Sequence, residues 1–508
     1  MTKTIKYKLN LTANPFEHYA AETEPNIARY AVRPPYLATI VERNSALGSF
    51  ILFGDRGAGK SATRITVFND LWERASNESG GNRHPLTVNV TDFSTLLPYL
   101  QKGTLDDNKI VKIIAFAVIE QSLIWFSSLP EEERAIYLEG INNSERARFI
   151  ALIEEFYSPI PEMDRKLSSS EAFRLLNAAW TTKSATWLAR RWDPINKIFS
   201  SCLAAILANK TKTNTDVSKE IEEIISSLKS LSSNTSRAIL NELVELSKSL
   251  GFSGICVLLD KIDETHLTTN SAESTAELVY PILAHIQLLE VPGFAWTFFL
   301  WSNVQGHFQG EKLTVRLDKI THANITWNEL GLREMLDARI AYFSDGKLIL
   351  ANFFEPDIDF DLLVADLIKL AIRSPREIIR LFDMIIREHD SRGVDGLITE
   401  NDVDNACDKY CTETIGTWYK TKLVQQVLRL GLPSFVNKDV QSKFKIGDQG
   451  ARNKIKLWEE AGLVRQDGTV PSELGGKPVN RYSVSDPRIV RIIERKLDDV
   501  VGAEVDDE

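Results

Sequence analysis

The sequence is poor in cysteine, with four in 508 residues, too few to form a disulfide framework. Long apolar runs are also missing. The longest, Ile110–Phe126, is interrupted by Lys112 and Glu120 and is too polar to cross a bilayer. The first ten residues lack the apolar segment of a secretion signal. Together these absences predict a cytoplasmic protein with no membrane partner.

Histidine is scarce too, with seven residues scattered along the chain, and no group of carboxylates stands out beyond residues 260–264. This pattern reveals no nuclease, deaminase or protease centre, so we expect any such chemistry to lie in a partner. The net charge is −10, so the chain does not coat nucleic acid with its whole surface. Basic residues nevertheless outnumber acidic ones by thirteen to eight from Val436 to Lys496. This local surplus leaves room for a DNA contact confined to one unit.

What the sequence does contain is an alternation of short apolar strands with helical segments. Such an alternation predicts a parallel sheet with crossover helices, and therefore an α/β core. Between the second and third strands, about 145 residues are helical almost throughout. The predicted strands are Ser49–Phe53, Leu86–Val90, Gly254–Leu259 and Phe294–Trp301.

One glycine-rich segment carries the strongest chemical signal. It follows the first strand, leads into a helix and matches the pattern G-x-x-x-x-G-K-[ST] at every fixed position. Its glycines let backbone N–H groups turn inward around phosphates, and the helix N-terminus adds its dipole. The lysine would pair with the β- and γ-phosphates of ATP, and the serine hydroxyl would ligate Mg²⁺. The predicted cofactor-binding residues are Gly54, Asp55, Arg56, Gly57, Ala58, Gly59, Lys60, Ser61 and Ala62.

A P-loop needs a second acid on a neighbouring strand to hold the Mg²⁺ shell. The apolar run Ile255–Leu259 ends in Asp260, which has the right chemistry and position for that role. We therefore predict Ser61 and Asp260 as the metal residues, with ATP and Mg²⁺ as the cofactors of an ATPase.

With these motifs in place, the chain resembles the origin-recognition (ORC-type) initiator clade of AAA+ ATPases over about residues 25–500. The most specific matches are the segments GDRGAGKS, LLDKIDE, FLWSN and SPREIIR. In that family the segment before the P-loop, here Tyr30–Pro34, lies against the adenine. The resemblance also implies that Asn303 senses the γ-phosphate and that Arg376 contributes from the lid. It further implies that Arg316 is an arginine finger for a neighbouring copy, and hence a homo-oligomer.

The position after Asp260 departs from the family pattern. Many hydrolysing AAA+ proteins carry Glu there, where it polarises the attacking water, but this chain has Lys261. Asp263 and Glu264 follow within one turn, and we favour Asp263 for the missing role. The predicted catalytic set is therefore Asp260, Asp263, Glu264 and Arg316. The alternative is slow hydrolysis by a protein that works mainly as an ATP-bound switch.

The long helical insertion is a second departure, since it is far larger than a connection in the core requires. We interpret it as an additional helical platform attached to the core. Its presence argues against a protein that acts only as a replication initiator. The chain is more similar to the bacterial ATPases of this clade that belong to mobile-element or antiphage systems. That similarity implies a partner effector protein.

The C-terminal unit is predicted to be a winged helix, the domain with which ORC-type proteins usually end. Its pattern indicates a short helix, Asn437–Phe444, and a turn, Lys445–Gly447. Asp448 is the expected N-cap of a second helix, Gln449–Ala461, whose apolar side is Ala451, Ile455 and Trp458.

A polar side of that second helix, together with two basic residues at a glycine-rich wing, is placed to contact bases and phosphates. We therefore expect double-stranded DNA as a partner. The predicted DNA-binding residues are Gln449, Arg452, Asn453, Lys456, Lys477 and Arg481.

The expected fold is an α/β P-loop ATPase core with a large helical insertion, a helical lid and a C-terminal winged helix. Helical patterns at Glu329–Phe343 and Phe360–His389 define the lid. The predicted segments are the first part of the core at 1–103, the insertion at 104–250, the second part of the core at 251–325, the lid at 326–411, the winged helix at 412–496 and an acidic tail at 497–508.

Three functions fit this organisation. The first is an ORC-type ATPase that oligomerises with ATP and controls a DNA-directed process, such as antiphage defence, together with an effector. The second is a regulatory or scaffolding ATPase that holds a partner protein without DNA contact. The third is an ATP-dependent loader or target selector in replication or transposition.

Overall fold

The structure is a computed structural model in which the described residues form two compact units, Glu24–Thr326 and Met1–Thr23 together with Trp327–Glu508. The described residues are 4–24, 26–77, 84–129, 132, 136, 140, 142–160, 235–269, 271–310, 312–393, 395–471 and 478–497. Residues 498–508 of the predicted acidic tail and residues 161–234 of the predicted helical insertion lie outside them.

In the unit Glu24–Thr326, strands and helices alternate along the chain. The strands are β1 (Phe50–Gly54), β2 (Leu86–Val90), β3 (Ile255–Leu259), β4 (Phe294–Trp301) and β5 (His322–Asn324). The helices up to residue 326 are α1 (Ile5–Lys8), α2 (Pro35–Ser45), α3 (Lys60–Asn77), α4 (Leu97–Gln101), α5 (Asp107–Ser128), α6 (Asn143–Leu152), α7 (Thr235–Ser249), α8 (Ala272–Leu283), α9 (Ile286–Leu289) and α10 (Val304–His307).

In the described residues the five strands form one parallel sheet in the order β2-β3-β4-β1-β5. Every residue of β1 and β3 is buried, as expected for strands that helices cover on both faces. The predicted α/β class is therefore confirmed. β2 and β4 have the predicted bounds, whereas β1 and β3 each begin one residue later than predicted.

The insertion is helical where it is described. Asp106 accepts a hydrogen bond from the Lys109 backbone N–H and so caps α5. Asn142 and Glu145 form a reciprocal capping box at the start of α6. α7 packs on both α5 and α6. Residues 161–234 of the predicted insertion fall outside the described residues.

The second unit contains the predicted lid and the C-terminal module. Its helices are α11 (Glu329–Phe343), α12 (Phe360–Leu370), α13 (Pro375–Ser391), α14 (Glu400–Trp418), α15 (Thr421–Leu430), α16 (Asn437–Phe444), α17 (Asp448–Glu460) and α18 (Pro487–Arg495). Its strands are β6 (Ser434–Val436), β7 (Val464–Val470) and β8 (Val479–Val484).

The predicted continuous run Phe360–His389 is divided into α12 and α13. Ile372 and Arg373 adopt left-handed backbone angles, with φ of 53° and 54°, which ends the first helix. Pro375 then begins the second, because its ring suits the first turn but not the interior of a helix.

The N-terminal segment was predicted to belong to the ATPase core. In the structure, residues 4–23 pack on the lid helices instead. The Ile5 backbone N–H donates to Asp390 Oδ1 at 2.8 Å. Asn14 Nδ2 donates to the buried Asp383 at 3.0 Å, and the Phe16 ring stacks on Phe382. A buried carboxylate needs hydrogen-bond donors, and this segment supplies them.

The C-terminal module contains two successive helices, α16 and α17, followed by a hairpin. In its described part, β6, β8 and β7 form an antiparallel sheet in that order. α16 has the predicted bounds, and Lys445 makes the turn with a φ of 54°. This is the element order predicted for a winged helix.

Two expectations about this module need correction. Asp448 is the first residue of α17 rather than its N-cap, which is Gly447. The Asp448 carboxylate is engaged elsewhere, because it accepts from Asn437 and pairs with Arg452. The predicted boundary between residues 411 and 412 also falls inside α14, so the lid and the module share a helix.

In the described part of the chain, no helix combines the length and apolar character that a bilayer crossing requires.

Candidate nucleotide site

The P-loop joins the end of β1 to the start of α3. Gly57 and Gly59 adopt φ of 77° and 98°, angles that strain any residue with a side chain. Apart from Gly59 and its two chain neighbours, no heavy atom of the described residues lies within 4 Å of the place that a Cβ on Gly59 would occupy. The loop is therefore an open cradle of backbone of the shape that receives phosphates.

Lys60 lies over this loop. Its Nζ donates to the backbone carbonyls of Gly54 at 2.9 Å and Asp55 at 3.3 Å, and the side chain is almost fully buried. Ser61 follows in the first turn of α3 and is partly exposed. The ammonium and the hydroxyl are thus both at the helix N-terminus, where anions are favoured.

Asp260 follows β3 at the same edge of the sheet as the P-loop, since the strands are parallel. It is buried, and its Oδ2 accepts a hydrogen bond from Arg64 Nε at 3.0 Å. Arg64 Nη1 donates in turn to Asn89 Oδ1, at the end of β2, at 3.0 Å. The side chains of Arg64 and Asp260 are only 1% and 2% exposed.

Arg64 and Asn89 were not predicted as site residues from the sequence. The available signal was the spacing of Lys60 and Arg64, four residues apart and hence one turn apart on the same side of the P-loop helix. The partner of Arg64 was not visible in that spacing, because Asp260 lies 196 residues further along the chain.

Asp263 lies in a 3-10 turn, Ile262–Glu264, and is buried. Arg56 of the P-loop approaches it twice, with Nε 3.6 Å from Asp263 Oδ2 and Nη2 donating to its backbone carbonyl at 3.1 Å. The Arg56 guanidinium also lies 4.7 Å above the ring of Trp301. These contacts tie the turn after β3 to the P-loop and to the end of β4.

Lys261 and Glu264 occupy the same turn. Lys261 has a left-handed φ of 62°, which changes the direction of the chain directly after Asp260. Glu264 is exposed. The catalytic roles of Asp263 and Glu264 therefore stay predictions, with Asp263 in contact with the P-loop.

The polar residues after β4 also adjoin the P-loop. β4 pairs with β1 in a register that places Trp301 opposite Gly54, and the Ser302 N–H donates to the Gly54 carbonyl at 3.3 Å. Asn303 comes next and is exposed. The predicted γ-phosphate sensor thus follows the strand beside the P-loop strand.

The segment before the P-loop is fixed to α3. Arg33 makes two hydrogen bonds to the Asp70 carboxylate, at 2.7 and 2.9 Å, and Tyr30 donates to Glu24. Burial raises the pKa of Tyr36 to about 12, against the smaller effect of its hydrogen bond with Thr63. Tyr30–Pro34, predicted to lie against adenine, is therefore held beside the helix that follows the loop.

Two further residues, Arg316 and Arg376, were predicted to contact nucleotide. Arg316 is exposed and binds the Asp318 carboxylate through Nε at 2.9 Å and Nη2 at 2.8 Å. That hydrogen bond lowers the pKa of Asp318 and raises that of Arg316. Arg376 is exposed in the first turn of α13, in the second unit.

The predicted DNA-binding residues on α17 share one exposed side of the helix, while Ala451, Ile455 and Trp458 are buried as predicted. The polar residues on this side are linked, since Gln449 donates to Asn453. The exposed residues are Gln449, Arg452, Asn453 and Lys456.

The described cations of this surface each have an acidic neighbour. Arg452 lies 2.9 Å from Asp448, and Lys456 lies 3.7 Å from Glu460. Arg481, on β8, donates to the Asp467 carbonyl at 3.0 Å and lies 3.4 Å from its carboxylate. Lys477 lies outside the described residues.

Among known proteins, no family model and no curated protein matches the chain. Three similar solved structures are of Aeropyrum pernix. The ORC1 protein in complex with DNA is 13% identical, with a TM-score of 0.39, over 95% of this chain and 97% of that one. The ORC2 protein in its ADP form has 13% identity, a TM-score of 0.37 and coverage of 94% and 98%. The ORC2 protein in ADPNP–ADP complexes has 11% identity, a TM-score of 0.41 and coverage of 94% and 99%.

Proposed function

We propose that this chain is an ATPase of the AAA+ class, of the ORC-type clade, that binds ATP with Mg²⁺ at the P-loop. The observation that carries this proposal is the loop itself. Gly57 and Gly59 hold an open backbone cradle, and Lys60 lies against its first two carbonyls. Asp260 stands at the same edge of the sheet.

The residues present also suit a magnesium ion. Mg²⁺ prefers oxygen ligands and keeps several of its waters, so one hydroxyl and one carboxylate are a sufficient protein contribution. Ser61 and Asp260 supply these two groups. When bound, the ion would neutralise charge on the phosphates; the protein's own part is to orient them with Lys60 and the loop N–H groups.

Substitution of Lys60 tests the nucleotide site. Lys60→Ala should weaken ATP binding at least about 100-fold, because two hydrogen-bonded contacts of a buried ammonium to the phosphates are lost. Equilibrium titration of the full chain with a fluorescent ATP analogue measures this. Lys347→Ala removes an exposed lysine in the other unit and should bind as the wild type does. A folded Lys60→Ala protein with wild-type affinity contradicts the assignment.

More specifically, we propose that the chain forms a homo-oligomer that controls a DNA-directed process. Arg316 would reach the ATP of a neighbouring copy, and Arg376 would act from the lid. The exposed polar side of α17 and the β7–β8 hairpin would contact double-stranded DNA. The resemblance and the helical insertion support a role with a partner effector, in antiphage defence or as a loader for a mobile element.

A scaffolding ATPase without DNA contact is the second candidate. The observation that favours it is that Arg452, Lys456 and Arg481 each have an acidic neighbour. These carboxylates reduce the local positive potential that phosphates would meet. Exposed ion pairs of this kind are weak, however, so DNA would break them at little cost.

Substitution of these three carboxylates distinguishes the DNA-binding ATPase from the scaffolding ATPase. If the surface binds DNA, Asp448→Asn, Glu460→Gln and Asp467→Asn together should tighten binding by about tenfold at low salt, because repulsion is removed and three cations are released. Duplex binding by fluorescence anisotropy, with ATP present, is the measurement. If neither the wild type nor the triple variant binds DNA, the result would favour the scaffolding ATPase.

A further inference from the structure

The buried ion pair beside the P-loop has a consequence for the metal. Arg64 lies on α3, four residues after Lys60, and donates to Asp260 Oδ2. Its second contact, to Asn89, orients the guanidinium from the other side. A cation is thus fixed against the one carboxylate that the P-loop arrangement offers to Mg²⁺.

Burial makes this pair a permanent feature of the site. The two side chains are at most 2% exposed, and a charge that loses its partner in such a place is strongly destabilising. Charge-assisted hydrogen bonds to a guanidinium are also directional, so Asp260 is held in one orientation. The pair therefore does not open and close as a surface ion pair does.

The pair also changes the charge that a metal ion would meet. A carboxylate attracts Mg²⁺ through its negative charge, and a guanidinium 3.0 Å from one of its oxygens offsets much of that attraction. With Oδ2 bonded to Arg64, Asp260 would offer only Oδ1 to the ion or its hydration shell. The phosphate cradle and Lys60 are unaffected, because they contact the nucleotide directly.

We propose that Arg64 is a positioning residue that sets the Mg²⁺ requirement of this site. It holds Asp260 in place and lowers its affinity for the metal, so ATP binds through the loop and Lys60 at low Mg²⁺, and Mg²⁺ strengthens that binding only at a higher concentration. Hydrolysis then depends on a higher Mg²⁺ concentration than binding does. This inference rests on the proposed ATP binding.

The test is a titration of Mg²⁺ against the full chain in the presence of a fluorescent ATP analogue, starting from chelated metal. Arg64→Gln should lower the half-saturating Mg²⁺ concentration about tenfold, since a positive charge 3.0 Å from the carboxylate that would hold the dication is removed. Arg64→Lys keeps the charge and should stay within about twofold of the wild type. Arg333→Gln, which breaks an ion pair in the other unit, is the matched control.

Asn89→Leu provides a second variant in case Arg64→Gln does not fold. Asn89 Nδ2 is buried with no hydrogen-bond partner among the described residues, so this change removes an unsatisfied donor. It also removes the Asn89 contact that orients the guanidinium on Asp260, so the half-saturating Mg²⁺ concentration should fall by about threefold.

The outcomes are distinct. A folded Arg64→Gln protein with wild-type Mg²⁺ dependence, an Arg64→Lys protein that shifts as far as Arg64→Gln, or an unshifted Asn89→Leu protein overturns the inference. A wild type that binds no nucleotide at any Mg²⁺ concentration overturns the proposed function instead.

Discussion

Two acids three residues apart, Asp260 and Asp263, contact different cations. Asp260 forms a buried pair with Arg64 of α3, whereas Asp263 contacts Arg56 of the P-loop, which is partly exposed. The first pair lies inside the core and the second connects two loops. Substitution of the two acids should therefore have different effects on stability, binding and turnover.

Asp260→Asn should keep nucleotide affinity within about threefold but abolish phosphate release, because the metal-holding charge is lost and the phosphate cradle is not. The free energy of unfolding should fall by about 3 kcal/mol, since Arg64 is left buried without an anion. Steady-state phosphate release and urea unfolding measure these effects. Asp318→Asn, at an exposed pair, should leave stability unchanged.

Asp263→Asn is the comparison at the neighbouring acid. If Asp263 orients the attacking water, turnover should fall by about 100-fold or more while binding persists. Unchanged turnover in this variant moves the catalytic role to Glu264 or to a residue outside this turn. If both substitutions leave phosphate release intact, our interpretation of the strand end is wrong.

At the scale of elements, α14 joins two parts of the chain that the sequence pattern had separated. Arg491 of α18 contacts Asp404 and Asp408 of this helix at 2.9 and 2.7 Å, and Arg495 contacts the same two acids. The helix–helix–hairpin module is therefore anchored to a lid helix through a network of four charges. Its exposed elements, α17 and the hairpin, are the ones predicted to contact DNA.

Alanine at Arg452, Lys456, Lys477 and Arg481 should weaken duplex binding for every DNA sequence. The plot of log affinity against log salt should flatten by roughly one unit for each phosphate contact removed. Anisotropy titrations across a range of salt concentrations, with ATP present, give both quantities. The control is a variant with alanine at four exposed lysines outside the helix–helix–hairpin module, Lys8, Lys102, Lys347 and Lys369. Equal losses in the two variants would indicate only a general charge effect.

At the scale of the whole molecule, the chain crosses between its two units twice, near residues 23–24 and 326–327. The N-terminal segment belongs with the lid, and it runs directly into the residues before the P-loop. Arg316 lies shortly before the second crossing, on an exposed turn beside Asp318. Its predicted role requires a second copy of the chain.

Mixing two inactive variants tests that role. Arg316→Ala should keep nucleotide affinity and lose about 1,000-fold in turnover, because the finger stabilises transition-state charge in the neighbour. Lys60→Ala loses its own site but keeps Arg316. A mixture should regain phosphate release, since the Lys60→Ala chain supplies the finger to an intact site. A mixture of Lys60→Ala with Asp260→Asn should stay inactive, and no recovery in the first mixture contradicts a finger that acts between copies.

Local patterns in the sequence predicted most of the strands and helices and the P-loop motif. β2, β4, α11 and α16 have their predicted bounds because each depends on the periodicity and end signals of its own residues. The P-loop is equally local, since its glycines and Lys60 are consecutive. The break between α12 and α13 was missed because apolar residues continue on both sides of Ile372 and Arg373.

Only the tertiary structure decided which charges meet. Arg64 and Asp260 are 196 residues apart, and Arg56 and Asp263 are 207 apart. Their contacts depend on the order of the strands, which periodicity does not specify. The same holds for residues 4–23, whose docking on the lid depends on a buried carboxylate, Asp383, far along the chain. A motif that lies within one turn can be identified from its own residues, whereas a buried ion pair exists only once the sheet has brought its partners together.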